Sequence, residues 1–524
     1  MQTGKLIYNR WQKHFAALGA CIVLAIFYFT QSDPSVTGFY QQDEVGHFLQ
    51  IMQFWKDPLT ILTDMWARGG YKILYALPGL AGWAGIVATN IFFAVGSGYI
   101  AYLLARKYQM RNAWIVIAFT GLQPLMITMG FRCYPELPAT FFTILLLYAY
   151  QNKRYISAAL IASFLFTIRQ EMAILALILG VIFIFKKQWL PLLCLSAAPL
   201  VLDILGYIKH HDLLYVVHLM VEGGLKEDYR RNGFFYLWVM LPDLTGIVVF
   251  YFLTVSAVAF IAYKHRKQVL IKYHMAILVF LVYFLMHCVF TSKAFGFGRS
   301  GGATRFLMPV LPIISLLALG GLNYLLYGEK RYTRIIVAAL SLAPALSSVI
   351  FINYFKRFTI FGFNVLPYTD VNIELLFLTF IILLVCIVLP AAVGKIIYAV
   401  PVVAALYSLK CVTPIGQSEE NVIIETAADW LYNSNTKINK IYSDHVMFTY
   451  YYGLKTDSYN AVGYDSTILG KLRENDIIVY DTHYAIRKIK PEVLDLWQSK
   501  YRILQQFGGN VGFKIFLLQG IKTP

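Results

Sequence analysis

Apolar runs of about 20 residues recur from His14 almost to Val412, and short basic clusters divide them. At 1.5 Å of rise per residue, a helical run of that length crosses a hydrocarbon core of about 30 Å. Inside that core only helices and closed barrels satisfy their own backbone polar groups. The pattern therefore predicts an α-helical polytopic membrane protein. Charge supports this: 14% of the 524 residues are charged, where a soluble chain carries about 25%. A net charge of +17 would suggest nucleic acid in a soluble protein. Here the cations sit between apolar runs, as the positive-inside rule requires, and nucleic acid is excluded as a partner.

Lys5, Arg10 and Lys13 place the N-terminus in the cytoplasm, and the run from His14 to Thr30 reads as a signal anchor without a cleavage motif. Later cytoplasmic turns are marked by Arg106-Lys107 with Arg111, Lys153-Arg154, Lys186-Lys187, Lys264 to Lys272, Lys330 to Arg334, and Lys395. Alternation through these clusters predicts about 13 spans, with the C-terminus on the far side. Residues 1–411 form the expected transmembrane domain with outward loops. From 412 to 524 the chain turns polar: ETAADWLYNS reads as a helix, NDIIVYDTHY and GFKIFLLQG as strands, predicting a small soluble extracytoplasmic α/β domain. The six cysteines are scattered without metal-ligand spacing.

The run YISAALIASFLFTIRQEMAILALILGVIFIF is too long for one span, and Arg169, Gln170 and Glu171 interrupt its middle. Charges at the centre of a bilayer cost about 2.5–3.5 kcal/mol each or more. Two short helices meeting at an outward-facing polar apex avoid that cost.

This threading collects the unusual polar residues on one side of the membrane. The first outward loop holds Asp43, Glu44, His47, Arg68 and Lys72. The second holds Arg132 and Glu136, the third Arg169 and Glu171, the fourth His210 and His211, and the fifth Arg299 and Arg305. Any one of these would serve as a solvated loop charge. Asp43, Glu136, Arg169 and Arg305 differ in lying against span ends. If QQDEVGHF starts a helix, its acids also favour the positive end of the helix dipole by about 0.3–1 kcal/mol. Asp43 and His47 would then share a face at i, i+4, with Glu44 turned away. In the fifth loop, GFGRSGGATR combines glycines, which let backbone N–H groups approach an anion, with Arg299 and Arg305. A Gly-rich loop with arginine at a span mouth reads as a phosphate clamp.

In order and topology, QQDEVGHF, the YPE of GFRCYPELPATFF and GRSGGATRFLMPVLP resemble the motifs of GT-C glycosyltransferases, polytopic enzymes that take sugar from polyprenyl- or dolichyl-phosphate carriers. The stretch ARGGYKILYALPG is similar to a segment of aminoarabinose and protein mannosyl transferases in which a lysine touches phosphate; Lys72 occupies that place. The resemblance covers most of residues 1–410, and it implies a GT-C-like fold with the active site facing the periplasm or exterior of a bacterial inner membrane. It implies a lipid-phosphate sugar donor and a glycan, lipid or protein acceptor.

A polyprenyl-phosphate sugar is a phosphodiester with one negative charge, and departure of the sugar leaves a monoester with up to two. Cations on that phosphate thus bind the transition state more strongly than the ground state. At an effective dielectric near 20, one charge pair at 4 Å is worth about 4 kcal/mol. The acceptor hydroxyl must lose a proton as it attacks, which calls for a carboxylate base across the anomeric carbon from the leaving phosphate. The candidate catalytic residues are Asp43, the preferred base, with Glu44 and Glu136. Lys72, Arg132, Arg169, Arg299 and Arg305 are candidates for the donor phosphate, and His47, Glu171, His210 and His211 for sugar or acceptor. Single displacement inverts the anomeric centre and requires no metal or other cofactor; the alternative is a carboxylate-bound divalent ion such as Mg or Mn, as in oligosaccharyl transferases.

A transporter or flippase for a lipid-linked or anionic substrate is the main rival. It would string charges through the bilayer midplane, whereas here they gather at one face. An O-antigen ligase or polymerase would centre on a large later loop, and a non-catalytic scaffold would need none of these charges.

Overall fold

The computed structural model describes residues 2–31, 39, 41–64, 68–223, 234–262, 266–291, 304–328, 330–357, 399–406, 417–496, 498–508 and 512–521. The chain forms two compact units. Met1–Asp33 with Phe54–Pro414 makes the first; Pro34–Gln53 with Ile415–Pro524 makes the second.

The first unit is helical. Five described stretches are long and apolar enough to cross a membrane: His14–Gln31, Gly82–Lys107, Trp189–His210, Leu270–Phe290 and Thr304–Tyr327. Shorter apolar helices cover Tyr155–Ile168, Gln170–Phe185 and Ile247–Ile261. Residues 358–398, and with them Lys395 and part of the expected set of spans, lie outside the described residues. Without a water-driven hydrophobic effect between helices in lipid, contact there depends on small residues and buried polar links. Both occur. A Cβ on Gly321 would sit 2.0 Å from the Phe252 carbonyl oxygen, so only glycine permits that approach of two helices. Gln123 donates through Nε2 to Ser315 Oγ at 2.7 Å, and Tyr28 donates to the Gly121 carbonyl at 2.8 Å.

The break expected near Arg169 is present. One helix runs from Tyr155 to Ile168, Arg169 is extended (φ −150°, ψ 126°), a single 3-10 turn covers Gln170–Met172, and a second helix runs from Ala173 to Phe185. A polar loop apex is expected to be wet, yet Arg169 is 1% exposed. The interruption does not place a charge in water; it points one inward.

The second unit is α/β. A helix Glu419–Asn433 begins at Ser418, whose side chain accepts the Asn421 N–H. It is followed by strand β1 (Ile441–Ser443), a helix Val446–Thr456, and strands β2 (Ile477–Asp481), β3 (Tyr501–Gly508) and β4 (Lys514–Gly520). The sheet order is β1-β2-β4-β3, with β1 parallel to β2 and the other pairs antiparallel. All five residues of β2 are buried, as in a strand covered on both faces. Edge strand β3 is mostly exposed and carries Arg502, Gln505 and Gln506, which discourage further pairing. The helix, β2 and β4 coincide with the three segments read from sequence.

One element joins this unit unexpectedly. The helix Gln42–Phe54, expected in a loop of the membrane part, packs Phe48 against Tyr450 at 5.8 Å and Tyr459 at 5.8 Å between ring centroids; Phe39 also meets Tyr450 at 6.1 Å. Four aromatic rings in such edge or tilted contact contribute about 0.5–1.5 kcal/mol per pair beyond area burial.

Candidate active site

The first unit buries a group of charges at one place. Glu136 is the first residue of the helix Glu136–Gln151. Arg169 donates through Nη1 to Glu136 Oε1 and through Nε to Glu171, so one guanidinium bridges two carboxylates from different segments. Arg305 follows the undescribed fifth loop, on a 3-10 segment Thr304–Val310. Its Nε lies 3.2 Å from the same Glu136 oxygen, and its guanidinium stacks 4.1 Å above the Tyr134 ring. The YPE motif therefore supplies both a ring and a carboxylate to one arginine.

Local structure fixes these groups. Asn90 donates to the carbonyls of Gly130 (3.1 Å) and Arg132 (2.7 Å) and accepts from Tyr75 (2.5 Å), which holds the turn leading to Glu136. Tyr283 donates to the Phe306 carbonyl at 2.9 Å, and the Phe306 ring carries Arg169 at 4.4 Å. A Cβ on Gly70 would meet Thr167 Oγ1 at 1.9 Å, so the Gly69–Gly79 helix approaches the segment just before Arg169 as only glycine allows. That approach brings in Arg68, which interacts electrostatically with Arg169, Glu171, Glu136 and Arg305. Arg68 has a left-handed backbone (φ 56°). Such a conformation costs a non-glycine residue about 1–3 kcal/mol and tends to mark functional positions.

The group thus contains three guanidinium ions (Arg68, Arg169, Arg305) and two carboxylates (Glu136, Glu171), an excess of one positive charge. The arginines are not equivalent. Arg169, 1% exposed, is committed to its two carboxylates, whereas the Arg305 side chain is 22% exposed and Glu171 20%. A buried cluster with surplus positive charge is suited to an anion.

Other residues expected at the site have contacts of their own. Lys72 is fully buried with Nζ 4.7 Å from the centroid of Tyr71, and Arg132 is 2% exposed. His210 stacks on Tyr215 at 5.1 Å and bonds Thr63 Oγ1 at 3.3 Å, while His211 ends the Ala197–His210 helix in a left-handed conformation. Both belong to that corner of the helical unit. Arg299 lies outside the described residues.

The orientation expected for the first acidic pair is reversed. Asp43 is exposed, while Glu44 and His47 are buried within the second unit. Glu44 Oε1 accepts the Gln41 N–H at 2.8 Å, a helix-start bond. Glu44 lies four and seven residues before the buried Phe48 and Ile51, so the apolar stripe carries it inward, and Asp43 rotates out. Asp43 interacts electrostatically with Tyr484 of the same unit.

Sequence reasoning did not single out His287. It lies within the Arg266–Thr291 helix, 2% exposed, with both ring nitrogens unpartnered among the described residues and its ring 4.7 Å from Tyr283. Its charge interaction with Glu171 ties it to the arginine group. The signal was a histidine inside the apolar run YFLMHCVF, the kind of position that carries function by default.

No protein-family model matches the sequence, and no curated protein matches it significantly. Solved structures do. ArnT from Cupriavidus metallidurans bound to undecaprenyl phosphate superposes with a TM-score of 0.58 at 12% identity, over 95% of this chain and 97% of that one. The same protein in its apo state gives 0.51 at 13% identity, over 98% of each chain. At such identity the likeness is one of fold. The chain is a multi-pass helical membrane protein with an ArnT-like fold and a small C-terminal sheet region.

Proposed function

We propose that this chain is an inverting glycosyltransferase that moves a sugar from a polyprenyl-phosphate carrier to an acceptor hydroxyl on the extracytoplasmic face of the membrane. The observation that carries the reading is the buried, net-positive arginine group around Arg305, set in the fold of a protein whose structure holds undecaprenyl phosphate. In the reaction the bond from anomeric carbon to phosphate oxygen breaks, the bond to the acceptor oxygen forms, and the acceptor proton passes to a carboxylate. Arg305, whose side chain is partly exposed, is assigned to the leaving phosphate, with Arg68 adding charge. Arg169 acts as a positioning residue that holds Glu136, and through it Arg305. Lys72, Arg132 and Arg299 are kept as supporting cations, and Asp43 as the base, on their sequence motifs alone. Neighbouring Glu44 is assigned to holding the helix start.

Arg305→Ala tests this. Removing one preorganised charge that stabilises a developing anion typically costs about 10²–10³-fold in kcat. The expected mark is a loss of that order, with a larger fall in kcat/KM for lipid donor than for acceptor. Equal losses for both substrates would indicate a packing defect instead. Arg305→Lys keeps the charge but not the planar fork, and is expected to fall between wild type and alanine.

A further inference from the structure

In sequence, His445 and His483 belong to two separated Asp/His pairs, DH and DTH, that read as turn residues. The fold brings the two histidines together. Strands β1 and β2 run parallel with Ser443 beside Val479, so the chain leaves both strands at the same end of the sheet. His445 follows β1 by two residues and His483 follows β2 by two. This is the edge at which open parallel sheets place ligands. The first turn of the Glu419–Asn433 helix delivers Glu420 to the same point. His445 Nε2 lies 3.0 Å and His483 Nδ1 2.8 Å from one oxygen, Glu420 Oε1, and the three ligand atoms are all within 4.8 Å of one another.

The geometry points to a transition-metal site of the zinc class, formed by Glu420, His445 and His483 in the second unit. Two imidazole nitrogens and one carboxylate oxygen are a donor set suited to zinc and its neighbours, and poor for Mg or Ca, which prefer oxygen. An ion at about 2.0–2.2 Å from each atom separates tetrahedral ligands by roughly 3.3 Å, and both carboxylate–imidazole separations, 3.0 and 2.8 Å, lie close to that. The supporting shell is in place. Asp481 Oδ1 accepts the backbone N–H groups of His483 (2.9 Å) and Tyr484 (2.6 Å), Ser443 Oγ accepts the His445 N–H at 3.2 Å, and Tyr484 stacks on the His483 ring at 4.3 Å. Three protein ligands leave a fourth position to water or another small donor, the pattern of an open site.

This inference is independent of the transferase reading, because its readouts are metal content and stability. The full-length protein, purified in detergent with a tag that contains no histidine, is stripped with chelator and titrated with Zn²⁺ and Co²⁺. The expected result is one tightly bound ion per chain, cobalt d–d bands of low-symmetry coordination, and a melting temperature that rises with Zn²⁺. Glu420→Gln and His483→Ala, both at partly exposed positions, should each weaken binding by roughly tenfold or more and abolish the thermal shift. His445→Gln should do the same, although its full burial makes folding a separate check. Stripped wild type that takes up no ion, or variants that bind it as wild type does, overturns the inference. The three side chains would then be a carboxylate hydrogen-bonded by two imidazoles and nothing more.

Discussion

Asp43→Asn is expected to leave a folded protein that transfers sugar at a hundredth of the wild-type rate or less. General-base catalysis contributes about 10²–10⁴-fold, and an amide cannot take the acceptor's proton. The substitution is isosteric, and Asp43 is exposed in the first turn of its helix. Folding should therefore be spared. Glu44→Gln is expected to behave in the opposite way. Its carboxylate is buried and accepts the Gln41 N–H, so the cost falls on stability, and turnover per folded molecule changes little. Transfer rates and melting temperatures measured on the two purified variants separate these outcomes. Retention of more than about a tenth of wild-type turnover in Asp43→Asn would remove Asp43 as base, and a reversed pair of effects would transfer that role to Glu44.

Arg169→Met should produce the largest loss of stability of any single change in the arginine group. It leaves the buried carboxylate of Glu136 and the partly exposed one of Glu171 without their shared guanidinium. Removing one partner of a buried ion pair costs about 3–5 kcal/mol, a large part of a typical total of about 5–15 kcal/mol. Low folded yield and a sharply lowered melting temperature are expected. The triple variant Arg169→Met, Glu136→Gln, Glu171→Gln removes the stranded charges and should recover much of the stability, because buried ion networks replaced by neutral groups are often near-neutral in energy. It should not recover transfer, since Glu136 no longer orients Arg305. If Arg169→Met alone is as stable as wild type, the bridge is not the strut described above. If the triple variant transfers normally, the group has no part in the reaction.

The sequence was informative where the physics is local. Apolar length and basic punctuation revealed the membrane class, and Arg169-Gln170-Glu171 in an otherwise apolar run revealed a helix break, because hydrocarbon does not tolerate those charges. β-Branched and aromatic content located β2 and β4. What stayed hidden depends on residues far apart in the chain. Glu136 and Arg169 are 33 positions apart, and nothing in either segment says that they meet. Nor does the sequence reveal that the helix Gln42–Phe54 sits with residues beyond 415, since Phe48, and Phe39 just before the helix, read as ordinary apolar positions until Tyr450 and Tyr459 are placed beside them. The convergence of His445 and His483 required knowing that β1 and β2 are parallel neighbours. The inward turn of Glu44 is different: its spacing to Phe48 and Ile51 was available, and the preference for pairing Asp43 with His47 hid it.

The central claim is that a lipid-linked phosphate is held by the arginine group of the first unit. Single-particle structure determination of the full-length protein with undecaprenyl phosphate tests it most directly, since it needs no knowledge of sugar or acceptor. Density for the phosphate is expected within hydrogen-bond distance of the Arg305 guanidinium, and is expected to be lost in Arg305→Ala. A phosphate bound away from Arg305, or lipid density unchanged in that variant, would contradict it.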